Sequence, residues 1–251
     1  MKILAFVTII LLIATNAHTQ LAIIRGDTTQ KKIALVFTGH EFADGGPFIK
    51  SILHKQKIKA SFFLTGNFYR TKEFKKLIRR LVSDGHYLGS HSDKHLLYCD
   101  WTKRDSLLVT KNEFETDLNQ SYKELARFGI SKRDAVYFLP PYEWYNDSIV
   151  SWTNLLGLHL INFTPGTRST ADYTYPEMGA RYVESKIIFQ SILDYEKRSP
   201  IGLNGFILLL HIGTDLGRKD KFYHYLPELI KELTTRGYQF VRIDEVIEKG
   251  K

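Results

Sequence analysis

Short apolar runs alternate with amphipathic stretches along nearly the whole chain. The runs Ile33 to Phe37, Ala60 to Leu64, Tyr87 to Ser90, Ala135 to Leu139, Leu158 to Phe163, Phe206 to His211 and Tyr238 to Ile243 have the length and near-continuous hydrophobicity of buried strands. Between them Phe74/Leu77/Ile78/Leu81, Phe114/Leu118/Tyr122/Leu125 and Phe222/Leu226/Leu229/Leu233 recur at helical spacing, which predicts helices turning one apolar face to a common core. Gly85, Gly129, Gly157 and Gly237 each stand just past a helical stretch, where a left-handed C-cap is wanted. Seven β-then-α units predict a parallel sheet faced by helices, either a (β/α) barrel or a doubly wound sheet, and periodicity does not choose between them. No linker, repeat or low-complexity stretch interrupts the series, so residues 20–251 read as a single domain. The one long connection runs from His91 to about Lys111, and a loop of that length in a compact domain commonly carries function.

Composition adds exclusions. With 251 residues, 43% hydrophobic and 25% charged, the chain is neither a disordered tail, a fibre nor a channel. Its net charge of +8 is spread over Lys31-Lys32, Lys55/Lys57/Lys59, Lys75-Lys76 with Arg79-Arg80 and the C-terminal stretch. These residues are interleaved with acids and accompanied by no nucleic-acid motif, so they read as solvated helix faces and no nucleic-acid partner is expected.

The N-terminus predicts export. Lys2 precedes an apolar run from Ile3 to Ala14, and Thr15 and Ala17 occupy the −3 and −1 positions of a cleavage site, so residues 1–19 read as a signal peptide of a periplasmic or secreted protein. That run is shorter than the roughly 18 to 20 residues needed to span a bilayer, and no second one follows, so no stable membrane span is expected. Cys99 is the only cysteine, which excludes an intramolecular disulfide and a zinc-thiolate cluster and leaves it to pack as a small apolar residue.

In parallel α/β architectures the segments that follow the strands carry the chemistry. Here those segments are Gly39-His40-Glu41-Phe42-Ala43-Asp44-Gly45, His91-Ser92-Asp93-Lys94-His95, Pro140-Pro141-Tyr142-Glu143-Trp144 and Thr164-Pro165-Gly166-Thr167-Arg168, and His211 ends the sixth strand. Two histidines four apart beside an acid-bearing loop suit two imidazoles and one carboxylate converging on a divalent metal, with Asp44 the nearest third ligand by position. Phe42, Tyr98, Trp101, Tyr142, Trp144, Tyr145, Tyr173 and Tyr175 crowd the same end, and aromatic faces stack on the C–H faces of sugars.

The order Leu35-Val36-Phe37-Thr38, Asp44-Gly45, Ala60-Ser61-Phe62-Phe63-Leu64-Thr65-Gly66, Gly85-His86-Tyr87-Leu88-Gly89-Ser90-His91-Ser92 with His95, Phe138-Leu139-Pro140-Pro141-Tyr142 and Leu208-Leu209-Leu210-His211 resembles the polysaccharide deacetylases of carbohydrate esterase family 4, over about Lys31 to Val246. The resemblance implies a distorted (β/α) barrel and a metal-dependent hydrolase that removes acetyl groups from N- or O-acetylated polysaccharide or peptidoglycan-type glycan. By position it implies Asp44, His91 and His95 as ligands of a divalent metal, zinc foremost, and His211 as the general acid protonating the leaving group. Leu209 would line the pocket for the acetyl methyl and the Tyr142 backbone N–H would help to stabilise the oxyanion, with Trp144, Arg168 and Asp172 as further substrate-binding positions.

The first motif of the family has two adjacent aspartates, the first acting as base, whereas Ala43 precedes Asp44 here; an alternative register puts Thr38 at the base position with Gly39 to Phe42 inserted. Leu139 stands where the family has the arginine that orients the base. Glu41 is the substitute base expected from sequence, followed by His40 and then by Asp93 and Asp172, while Arg168 and Asp172 form a candidate acid-orienter pair. The expectation is therefore a metal-dependent deacetylase with an altered base. Its rivals are a catalytically impaired carbohydrate-binding protein on the same barrel and a glycosidase using paired carboxylates.

Overall fold

The computed structural model describes residues 21–247, and the expected signal peptide lies outside them. The elements follow in the order β1 (Lys32–Gly39), α1 (Gly46–Lys55), β2 (Ser61–Leu64), α2 (Gly66–Arg70), α3 (Lys75–Ser83), β3 (Tyr87–Ser90), α4 (Lys111–Ala126), β4 (Tyr137–Phe138), α5 (Asp147–Leu155), β5 (His159–Leu160), α6 (Ser185–Arg198), β6 (Phe206–His211), α7 (Leu226–Thr235), β7 (Gln239–Val241) and α8 (Ile243–Ile247). Each apolar run thus forms a strand, and all the strand pairs are parallel, in the order β5-β4-β3-β2-β1-β6. β6 covers one edge of β1 from Ile33 to Thr38. The other edge is shared between β7, against Lys32 to Ala34, and β2, against Val36 to Gly39.

Irregular chain links β5 to β6. Ile23 bridges to Ile161, and Thr164 donates its N–H to the Ile207 carbonyl while its Oγ1 accepts from the Ile207 N–H. The sheet therefore curls into a distorted (β/α) barrel rather than a doubly wound sheet.

Strand alternation sorts the side chains into two cores. Ile33, Leu35, Phe37, Phe62, Leu64, Leu208 and Leu210 face outward to the helices, where they meet Ile78 and Leu81 of α3, Phe114, Leu118 and Leu125 of α4 and Leu229 and Leu233 of α7. Ala34, Val36, Phe63, Tyr87, Leu139, Ile207 and Leu209 fill the barrel interior. One step further along the inward rows stand Thr38 on β1, His211 on β6 and His91 just past β3, so the parity that builds the core also delivers these side chains to the barrel mouth.

Helix ends confirm the local signals. Gly85 and Gly237 take φ of +78° and +87° after α3 and α7, a conformation that penalises any side chain. The long loop stops where Thr110 and Glu113 cap α4 reciprocally: the Thr110 Oγ1 accepts from the Glu113 N–H at 3.2 Å, and the Glu113 carboxylate accepts from the Thr110 N–H at 2.7 Å. Cys99 is buried in the outer core. Among the described residues no helix is long and apolar enough to cross a membrane.

Candidate active site

A cavity of about 1170 Å3 opens at the carboxyl ends of the strands, and Thr38, His40, Glu41, His91, His95, Glu143 and His211 line it. His91 is buried, and its Nδ1 lies 2.8 Å from the Leu139 carbonyl. A carbonyl only accepts, so Nδ1 carries the ring proton and Nε2 presents a bare lone pair. The His95 Nε2 stands 3.2 Å from it. Burial lowers the His91 pKa to about 3, with the backbone hydrogen bond opposing and the neighbouring histidines adding to the fall. His95 is lowered to about 2 by burial and by the nearby His91, His40 and His211, so both rings are neutral at physiological pH.

The segment carrying them is held from α4. The Asp117 carboxylate accepts the backbone N–H groups of Asp93 and Lys94, each at 3.0 Å, and the Tyr98 hydroxyl at 3.2 Å. Ser92 Oγ accepts from the His95 N–H at 2.9 Å. These bonds hold Ser92 and His95 at φ of +71° and +60°, each costing a non-glycine residue about 1 kcal/mol or more.

His211 is gripped from the opposite wall. Asp172 accepts from the His211 backbone N–H at 2.8 Å and from its Nδ1 at 2.6 Å, which fixes the tautomer and leaves Nε2 for the cavity. Burial pulls the His211 pKa down, but the charge and hydrogen bond of Asp172 outweigh it and the net direction is upward.

Glu143 was not singled out from sequence. Its side chain is only 15% exposed, and its Oε1 lies 4.0 Å from His91 Nε2. Burial raises its pKa to about 7, the His211 charge opposing and Asp172 reinforcing the rise. Tyr142 and Glu143 occupy consecutive left-handed conformations, φ +59° and +54°, and Asn162 Nδ2 donates to the Glu143 carbonyl at 2.7 Å. Strained non-glycine backbone of this kind concentrates at functional sites.

The remaining expected positions divide. Glu41 lines the cavity but is 69% exposed, and its Oε1 approaches only His40 Nε2, at 3.8 Å. His40 stacks on His95 with ring centroids 4.6 Å apart and places Nδ1 3.1 Å from Thr65 Oγ1; burial lowers its pKa against the opposing Glu41 charge. Tyr142 and Trp144 line the cavity, joined by the exposed Trp101 from the long loop. Arg104 lies 4.3 Å above the Trp144 ring.

Other positions do not reach the cavity. Asp44 is turned aside: it accepts from Thr214 N–H at 2.8 Å, pairs with Lys221 Nζ at 3.0 Å and meets the Tyr223 hydroxyl at 3.3 Å, and it is absent from the cavity wall. Leu209 packs inside the barrel below the cavity rather than lining it. Arg168 is exposed outside the cavity, with its backbone N–H on Ser191 Oγ. Asp172 orients His211 instead of pairing with Arg168 or facing substrate, and Asp93 is held by Arg70 at 2.6 and 3.1 Å. Tyr98 packs in the core. At the end of β1, Thr38 is buried and its Oγ1 has no hydrogen-bond partner among the described residues.

His91 and His95 fit a divalent ion. Two nitrogen ligands about 2.0 to 2.1 Å from one tetrahedral ion stand roughly 3.3 Å apart, close to the 3.2 Å found here, and the Nδ1 bond to a carbonyl is the usual support of a ligating imidazole. Among the described residues no group of three or more His, Cys, Asp or Glu side chains is placed, as it stands, to hold a metal ion.

The profile of the polysaccharide deacetylase family matches residues 25–161, more than half of the chain. The chain belongs to the polysaccharide deacetylase family. Within that family it is 25% identical over 224 residues to the peptidoglycan-N-acetylmuramic acid deacetylase PdaA of Bacillus subtilis, covering 88% of this chain and 73% of the relative. The PdaA structure, a family 4 carbohydrate esterase, superimposes with a TM-score of 0.69 at 24% identity, over 90% of this chain and 84% of that one. A family 4 pseudoenzyme from Bacillus anthracis superimposes with the same TM-score at 20% identity, over 91% of this chain and 69% of that one, and a mutant of it has restored enzymatic activity. Both likenesses show the same barrel.

Proposed function

We propose that this polysaccharide deacetylase family member is an exported, divalent-metal-dependent hydrolase that removes acetyl groups from N- or O-acetylated sugars of a polysaccharide or peptidoglycan-type glycan. One observation carries the reading: the Asp172-oriented His211 and the paired neutral imidazoles of His91 and His95 share a single cavity at the barrel mouth.

The geometry supports the following roles. Held by Asp172, whose charge and hydrogen bond shift its pKa upward against burial, His211 delivers a proton from Nε2 to the leaving amine or alkoxide. His91 and His95 would hold the ion, with zinc the metal we propose. Bound there, such an ion supplies Lewis-acid polarisation of the acetyl carbonyl and activates water. Trp101 and Tyr142, exposed beside His95 and in edge contact at 5.5 Å, offer faces on which a sugar ring stacks. The N-terminal apolar segment supports export.

A second reading, a catalytically impaired carbohydrate-binding protein, draws support from Thr38: in the alternative register the end of β1 presents a hydroxyl to the cavity at the position of the base. Mass analysis of acetylated oligosaccharides after incubation with the zinc-reloaded protein separates the readings. Loss of acetyl groups at constant chain length supports the deacetylase. Unaltered oligosaccharide that nevertheless binds supports the second reading, and shortened chains would indicate a glycosidase.

A further inference from the structure

The carboxylate expected to join His91 and His95 from sequence, Asp44, is occupied by Lys221, Thr214 and Tyr223 outside the cavity. The other acids near the barrel mouth are also committed or remote: Asp93 to Arg70, Asp172 to His211, and Glu41 to solvent beside His40. Glu143 differs from all of them. It lines the cavity with a nearly buried side chain, no hydrogen-bond donor among the described residues reaches its carboxylate, and the ionisable group facing its Oε1 is His91 Nε2.

We propose that Glu143, rather than Asp44, supplies the carboxylate that completes the divalent-metal site on His91 and His95. The inference rests on the metal-dependent reading above and names the third ligand that reading needs. A carboxylate in a nearly buried position with no hydrogen-bond donor is unfavourable, and one cation among the three groups relieves it while taking up the bare His91 Nε2 lone pair, which without the cation is served only by the 3.2 Å contact with His95 Nε2. The 4.0 Å between Glu143 Oε1 and His91 Nε2 exceeds the roughly 3.3 Å between ligands of one tetrahedral ion by about 0.7 Å. A carboxylate on two side-chain CH2 groups covers that gap by torsion alone. The backbone already aims it: the left-handed pair Tyr142 and Glu143 is pinned by Asn162 Nδ2 on the Glu143 carbonyl and by the Glu143 N–H on the Pro140 carbonyl at 3.1 Å.

The test is metal affinity, measured on the metal-stripped full chain by competition for zinc with a chromophoric chelator, alongside the visible absorption of the cobalt-substituted protein. Glu143→Gln is isosteric and is expected to weaken zinc binding at least about 10- to 100-fold and to alter the cobalt spectrum, while Asp44→Asn leaves affinity within about 3-fold of wild type. Thermal melting of the metal-free variants verifies that each is folded. Zinc binding that is lost in His91→Ala but unchanged in Glu143→Gln overturns this assignment and leaves the metal-dependent reading standing. Loss in Asp44→Asn with Glu143→Gln unaffected overturns it in favour of Asp44, and absence of zinc binding by wild type overturns both.

Discussion

Asp172 accepts two hydrogen bonds from His211, one from its backbone N–H at 2.8 Å and one from its Nδ1 at 2.6 Å. The backbone bond fixes where the residue sits, and the ring bond fixes which nitrogen faces the cavity and holds the pKa up. Asp172→Asn keeps the shape and removes the charge. Activity is expected to fall at least about 10-fold, and its alkaline limb, where His211 loses its proton, to move to lower pH. An unmoved alkaline limb in the pH profile would show that His211 is not the titrating acid.

Asp117 is a positioning residue. Asp117→Ala strands the backbone N–H groups of Asp93 and Lys94 and the Tyr98 hydroxyl, so a loss of roughly 2 to 4 kcal/mol is expected in denaturant unfolding. Zinc affinity should fall as well, because His95 holds its left-handed conformation through this turn. A destabilised variant with undiminished zinc affinity would separate Asp117 from the site.

The His86 ring, just before β3 and away from the mouth, is expected to contribute to acid sensitivity. Its Nδ1 accepts the Ala60 N–H at 3.1 Å, and burial, followed by the Lys59, Arg242 and Lys50 charges and against Asp84, lowers its pKa to about 4. The unfolded chain binds this proton below about 6.5 while the folded chain refuses it until about 4, so stability is full above the upper value and falls as pH drops through the window. The loss amounts to roughly 2 to 3 kcal/mol at the lower end. His86→Gln, which retains an acceptor for Ala60, should flatten that part of the stability-pH curve in urea melts; parallel curves would remove His86 from the effect.

Trp101 is 54% exposed at the cavity rim. Trp101→Ala should leave the melting temperature nearly unchanged and raise KM for a glycan by roughly 10-fold with a smaller change in kcat, the signature of a lost stacking surface. Unchanged KM across oligosaccharides of increasing length would place the sugar elsewhere.

The strands were legible because a buried parallel strand is a near-continuous apolar run, and β1 to β7 each left one. His91, His95 and His211 were legible because strand ends are few and histidines rare. Periodicity left the barrel undetermined, since closure depends on Ile23 and Thr164, which lie in irregular chain with no repeating pattern. The direction of Asp44 was not legible, because an Asp-Gly turn says nothing of direction and Lys221, with which it pairs, is 177 positions away in the chain. Asp117 did leave a trace: with Phe114, Ser121 and Glu124 it occupies the buried stripe of α4, where polar residues need partners. Glu143 stood in view after Pro140-Pro141-Tyr142, but its burial comes from the left-handed turn, which sequence spacing does not reveal.

Deacetylation at the barrel mouth is the activity we propose for this cavity. Acetate release from acetylated chito-oligosaccharides and from purified peptidoglycan, followed with zinc-reloaded wild type and with His211→Asn, tests it most directly. Steady release by wild type on at least one of these glycans is expected, with a fall of about 100-fold or more in the variant. Release equal in the two proteins, or none by wild type with zinc bound and glycan retained, would contradict it.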